Sequence, residues 1–255
     1  MKIFVLPDVQ ARDGNDFTFL SYIGQYIVDK QPDIVLCLGD FADMSSLSTF
    51  DRGTRVFEGL RYTSDIGAAQ QAMMTLMQPL EDYNKKQLKA KHAPYRPKQI
   101  MLYGNHEDRI DRAANRDAKL TGLISLDDLA YEAWGWECHP FLEVVIIEGV
   151  VFCHYFISGV KGLPIATAQL QLNKMHMSCV AGHQQGKQIA TGRRADGTLL
   201  TSIISGSCYE HDEDYMGIQG NKHWRGCFMM HQVQNGSFDE MFVSLSYLKD
   251  KYGKS

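Results

Sequence analysis

The chain has 255 residues, 44% of them apolar, with a formal net charge of -4 and a pI near 6.1. That is enough apolar mass for a sizeable core, and too little positive charge for any global attraction to polyanions. Contact with nucleic acid would have to come from a local basic patch.

The opening apolar run, IFVL, is too brief for a signal segment or a membrane span, and no later run is long enough either. The expectation is a soluble, cytosolic protein. Residues 3–6 predict a strand that delivers Asp8 at its tip, where a carboxylate needs a cation or several donors. FTFLSYIGQYIVDK (17–30) carries apolar residues at helical spacing, and DIVLCLGD (33–40) is the next strand. QIMLYGNHE (99–107) is a third, running into a helix that begins near Glu107. Short apolar runs alternating with helical patterns are the grammar of βαβ units.

Residues 44–98 read as an insertion between the second and third strands. A loop-like stretch holds Arg52, Arg55 and Arg61, and a long helix from Ser64 to His92 ends in KKQLKAKH. That basic end suits a helix C-terminus and a solvated face; a polyanion contact is the alternative.

After residue 140, FLEVVIIEG and VVFCHYF predict strands joined at Gly149, ATAQLQLNKM a helix, and SCVAGH a strand ending in polar residues. From about residue 187 to 248 the chain reads as β-hairpins, with a DG turn at Asp196-Gly197 and an NG turn at Asn235-Gly236. The second half is therefore expected to be largely antiparallel. No repeat, low-complexity tract or linker interrupts residues 1–255, which read as a single domain. The six cysteines form no CxxC pair, and several sit inside apolar runs, as reduced core residues do.

Five strand ends, PDVQ, LGDFAD, YGNHE, FCHYF and AGHQQG, each follow an apolar run and deliver Asp, Asn or His. In one sheet they would face one edge. A lone His after a strand is weak evidence; five ends in succession amount to a site. The blocks Asp8-Val9-Gln10, Gly39-Asp40-Phe41-Ala42-Asp43, Gly104-Asn105-His106-Glu107, His154 and Gly182-His183-Gln184-Gln185 resemble, in order, those of the calcineurin-like metallophosphoesterases. The resemblance implies an α/β fold, a four-layer α/β/β/α sandwich of two mixed sheets flanked by helices. It also implies metal-dependent phosphoester hydrolysis by a metal-bridging hydroxide. Asp40 would bridge two divalent ions, Asp8 would bind the first, and Asn105, His154 and His183 would complete the second. His106 would contact the phosphate and assist the leaving oxygen, with Asp43 orienting it.

Two positions depart from the pattern. The family's other first-metal histidines are replaced by Gln10 and Gln185, so the first site would be all-oxygen and weakly held. Manganese is favoured there, with magnesium, nickel and zinc as alternatives. Loss of the first ion, leaving a one-metal enzyme or a non-catalytic phosphate or nucleic-acid binder, is the competing expectation.

Arg109 would reach the site from the first helical turn or pair with Asp108 or Asp111. The arginines that grip phosphate in the Ser/Thr protein phosphatases are replaced by Met44 and Tyr103, which points away from phosphoprotein substrates. A phosphodiester of nucleic acid or nucleotides is the expected substrate, with a phosphomonoester as the alternative. Residues 205–228 resemble the C-terminal part of phage and bacterial members. There His211 and His223 read as loop donors, Trp224 as a packing anchor, and Asp212, Glu213 and Asp214 as solvated. His92, His139, His176 and His231 suggest no site.

Overall fold

The computed structural model describes residues 1–49, 53–213 and 216–254; Arg52 and Asp214 lie outside the described residues. Ile3–Leu6 forms β1 with every residue buried. Ile3 and Val5 join a core layer with Val150, Phe152, Val180 and Ile203, while Phe4 and Leu6 pack under helices. A strand covered on both faces has no reason to alternate, which is why this one reads as an unbroken apolar run. The next strands are β2 (Ile34–Cys37) and β3 (Lys98–Leu102), parallel to β1 and to one another. β4 (Trp136–His139) lies parallel at the edge. Its Trp136 alone is fully buried, so it left no periodic signal in the sequence.

Helices α1 (Thr18–Lys30) and α2 (Tyr62–Lys89) cover the outer face of this sheet. Both bury residues at helical spacing: Leu20, Ile23 and Ile27 in one, Ala69, Ala72, Met73, Leu76 and Leu80 in the other. Gly24 lets the two backbones approach, since a Cβ there would stand 2.3 Å from the carbonyl oxygen of Leu76. The stretch expected to be an insertion is thus mostly the crossover that any parallel pair requires.

The direction of that crossover sets the basic end of α2 away from the site, in line with the solvated helix terminus expected and against the alternative of a polyanion contact there. A returning helix runs against its strands, and at about 1.5 Å per residue α2 carries its lysines about 35 to 40 Å from its start. Asn84 pairs with both backbone groups of Tyr95, whose hydroxyl donates to Pro32 O at 2.5 Å. Lys85, Lys86 and Lys89 therefore sit at the edge where the parallel strands begin, and Asp8, Asp40 and Asn105 at the edge where they end.

The second sheet has the order β5 (Val145–Ile147), β6 (Val150–Cys153), β7 (Cys179–Ala181), β9 (Leu199–Ile204), β8 (Gln188–Arg193). Its inner strands β6, β7 and β9 are parallel; only β5 and β8 run against them. The hairpins expected in the second half form antiparallel pairs, β5 with β6, β8 with β9 and β10 with β11, and they flank a parallel centre that their turn signals did not indicate. The final hairpin, β10 (Gly226–Gln234) and β11 (Ser237–Ser244), joins the first sheet beside β1. Asn235 and Gly236 turn it with φ of 49° and 79°, the two positive angles of a type I′ turn. Helix α4 (Ala168–Met175) covers the second sheet and α5 (Leu245–Tyr252) joins α1 on the first, completing an α/β/β/α sandwich. Among the described residues no helix is long and apolar enough to cross a membrane.

Candidate metal centre

The strand ends meet where the two sheets' parallel strands terminate. Beyond β2 the chain turns through Gly39 (φ 94°) and Asp40, which itself holds φ of 49°. Two backbone-scale fits make room for the carboxylates. A Cβ on Gly104 would lie 2.1 Å from Asp40 Oδ1, and one on Gly182 would lie 2.5 Å from Asp8 Oδ1. Glu107 is wholly buried and ties the loops together. Its Oε2 accepts from the backbone N–H of Asp40 and of Gly104, both at 2.9 Å, and its Oε1 from Ala42 at 2.8 Å. Sequence reading quoted this residue within GNHE without giving it a task.

Asp40, His154 and His183 offer ligand atoms within 4.8 Å of one another. His154 has one ring nitrogen committed, with Nδ1 2.8 Å from Leu38 O, which leaves Nε2 for the site. Nε2 faces Asn105 Oδ1 at 2.9 Å and Asp40 Oδ2 at 3.3 Å. Asp40 Oδ2 is buried and makes no hydrogen bond. Oxygen and imidazole acceptors converging on one point, with a carboxylate oxygen left over, fit a divalent cation. Burial favours the neutral form of Asp40, but His106 and His154 outweigh it and hold the carboxyl well below its usual range.

The other half is differently arranged. Asp8 is fully buried; its carboxylate accepts the backbone N–H of His183 at 3.0 and 3.1 Å and Gln185 Nε2 at 3.1 Å. Gln10, also in a left-handed conformation (φ 48°), donates its backbone N–H to Asp40 O at 2.8 Å. The side-chain oxygens of Gln10 and Gln185 are both buried without a partner. Burial, together with the neighbouring Asp40, pushes Asp8 up to about 7. The residues of a first cation site are thus assembled, with orphaned oxygens and a carboxylate that resists ionisation.

His106 borders this cluster: its backbone N–H donates to Asp40 Oδ1 at 2.9 Å, and its Nε2 lies 3.7 Å from Asp40 Oδ2. Its Nδ1 lies 2.8 Å from Asp43 Oδ1 and 2.9 Å from Asp43 O, which fixes a proton on Nδ1. Arg109 donates to Asp43 O at 2.7 Å and approaches His106 Nε2 at 3.3 Å, so of its two expected placements the site is the one realised. Behind Asp43 lies a chain of charges that sequence reading missed. Arg12 Nε donates to Asp43 Oδ2 at 2.8 Å, and its Nη2 to Glu213 at 2.9 and 3.1 Å. Glu213 Oε1 in turn meets His211 Nε2 at 2.9 Å. Glu213 is 4% exposed, which corrects the expectation that it is solvated. Asp212 does face solvent, beside Arg225. His223 serves the loop, bonding Ser207 Oγ at 2.7 Å.

Arg12 thereby fixes the carboxylate that fixes His106. Arg12→Ala is expected to lower kcat about tenfold or more and to move the pH limb due to His106. It also leaves Asp43 and Glu213 facing each other without their cation, so melting temperature should fall, as after any loss of one partner from a buried ion pair. Arg12→Lys should recover stability better than kcat, because an ammonium cannot span both carboxylates as the fork does.

A family model described as calcineurin-like phosphoesterase matches residues 1–193. The search of curated proteins gives no match. Among solved structures, 36 chains match. One of them, a crystal structure, aligns over 96% of this chain and 98% of its own at 10% identity, with a TM-score of 0.44.

Proposed function

The chain belongs to the calcineurin-like phosphoesterase family, whose members hydrolyse phosphoesters with divalent metal ions, and we propose that it cleaves phosphodiesters of nucleic acid or nucleotides. One observation carries the metal-dependent part of the reading: Gln10 Oε1 and Gln185 Oε1 are buried without hydrogen-bond partners and Asp40 Oδ2 faces the His154 imidazole at 3.3 Å, all around Asp8, His154 and His183, an arrangement that divalent cations would satisfy. Asp40, Asn105, His154 and His183 would hold one, and Asp8, Gln10, Asp40 and Gln185 the other, more weakly. Bound divalent ions there neutralise phosphoryl oxygens and acidify the attacking water.

The chain's own groups do the rest. His106, with its Nδ1 proton fixed by Asp43, holds Nε2 ready to pass a proton to the leaving oxygen. Arg109 contributes positive charge beside it. Met44 is buried and Tyr103 packs on Tyr131, so neither replaces the two phosphate-gripping arginines of phosphoprotein phosphatases. Manganese is favoured by the oxygen-rich first site.

A one-cation reading is favoured by one contact, the donation of Gln185 Nε2 to Asp8, which does for the carboxylate part of what a cation would. A panel of manganese, magnesium, nickel and zinc against an aryl phosphodiester, an aryl phosphomonoester and single- and double-stranded DNA tests both, with metal stoichiometry by calorimetry. Diester turnover with two bound manganese ions is expected. Turnover of the monoester alone would overturn the substrate class, and one ion per chain would establish the second reading.

A further inference from the structure

Helix α3 (Asp108–Arg116) follows His106 directly and carries Arg109, Arg112 and Arg116 along one face. With Ser46, Ser48 and Thr49 opposite, the three arginines line a cavity of about 370 Å³, in the size range of ligand sites. Its donors differ in how far they are committed. Arg109 is held by Asp43 O. Arg112 pairs with Asp108 at 2.8 Å and donates to Asn105 O, but its side chain remains 44% exposed. Arg116 is exposed and forms no ion pair among the described residues. Ser48 is 1% exposed, and its hydroxyl has no partner; the hydroxyl of Ser46 has none either. Buried hydroxyls are rarely left so, and these two border a row of guanidinium groups. Among the described residues the cavity's single carboxylate, Asp117, accepts the N–H of Lys119 through Oδ1.

Guanidinium and hydroxyl donors together select phosphate oxygens. The row is too long for one phosphate: seven residues at about 1.5 Å each span about 10 Å. Its first arginine, Arg109, stands 3.3 Å from His106 Nε2, the atom from which the leaving oxygen would take its proton, so a chain of phosphates lying along the row would continue from the leaving group. A cavity of about 370 Å³ is on the scale of one strand and far smaller than a duplex, which could not enter it. We propose that the α3 groove binds successive phosphates of a single-stranded oligonucleotide on the leaving-group side of the scissile bond, an inference that rests on the phosphodiesterase reading.

The test uses manganese-loaded protein and a 5′-fluorescein pentathymidylate with phosphorothioate linkages, followed by anisotropy. Arg116→Glu should raise Kd tenfold or more with no change in melting temperature. Arg116→Ala should flatten the dependence of log Kd on log salt by about 0.7, one phosphate contact on a single strand. A Kd within twofold of the parent for Arg116→Glu would overturn the groove, even in a chain that hydrolyses diesters. Absence of hydrolysis with every metal, alongside the tenfold loss of binding, would overturn the phosphodiesterase reading and leave the groove standing.

Discussion

His106→Ala is expected to lower kcat on an aryl phosphodiester by about 10²–10⁴ while leaving the metal content of the protein as it was. The two halves of that result have separate causes. Metal content persists because Nδ1 of His106 is committed to Asp43, and Arg109 stands at Nε2; Asp40, His154 and His183 converge without it. The rate falls because the groups that His106 Nε2 meets among the described residues, Arg109 and Asp40, do not supply a proton in its place. Arg109, the nearest, is a guanidinium that does not release one. The pH profile gives an independent reading. Burial alone would lower the pKa of His106, but Asp40 and Asp43 reverse it against the opposing charge of Arg109, and the net shift is upward. Cations on Asp40 would cancel its part of that shift and leave the hydrogen bond to Asp43 Oδ1 to hold the imidazolium, and activity should decline on the alkaline side as that proton is lost. His106→Asn, which keeps a donor toward Asp43 but no titrating group, should remove this limb. A variant that retains kcat within tenfold, or loses its manganese together with its activity, would show that His106 is a ligand or a bystander.

How much of this was legible beforehand depended on the range of each signal. β1 could be read to the residue because both its faces are buried and its composition is local. The turns at Gly149, Asp196-Gly197 and Asn235-Gly236 were legible for the same reason, yet their sheet partners were not. A hairpin signal specifies two adjacent strands and says nothing of the parallel pairing of β6, β7 and β9. The site residues that sequence named all follow strands inside short recognisable blocks. Arg12, by contrast, lies in the polar stretch ARDGND and finds Asp43 and Glu213 at separations of 31 and 201 residues. No periodicity or block could have announced it. Arg112 and Arg116 fall on a short helix whose only fully buried residue is Ile110, where any basic residue reads as solvated surface. The lysines of α2 are legible from composition as a solvated helix end; that they lie away from the site follows only from the direction of a crossover helix, which composition does not carry.

Metal uptake should be steeply pH-dependent, with a different break for each site. In the metal-free protein burial and Asp40 push Asp8 up to about 7, so below that pH the carboxyl carries a proton that a cation must displace. His154 moves the same way for another reason. Burial disfavours its charge, but Asp40, Asp8 and the Leu38 carbonyl outweigh burial and raise it to about 9. His183, lowered to about 4 by burial and by the nearby charge of His154, is already neutral. Affinity at the Asp8 site should therefore fall about tenfold per pH unit below 7, and affinity at the His154 site about tenfold per unit below 9, one proton released at each. Loading both from pH 7 to pH 5 would weaken by about 10⁴ in the product of the two constants. Stability follows with a definite sign. Asp8 titrates in the fold above its ordinary range, so as a buried acid it costs the metal-free protein stability as pH rises from about 4 to 7. The contribution of His154 is complete below its unfolded value near 6.5 and is lost as pH rises through about 9. Both effects weaken the metal-free protein toward alkaline pH, where cations bind best. The rise in melting temperature on adding manganese should accordingly grow from pH 5 to pH 9, by about 1.4 kcal/mol of binding free energy per tenfold gain in affinity. Calorimetry in buffers of differing ionisation enthalpy counts the protons directly. A manganese affinity flat between pH 6 and 9 would mean that neither Asp8 nor His154 lies against a bound cation.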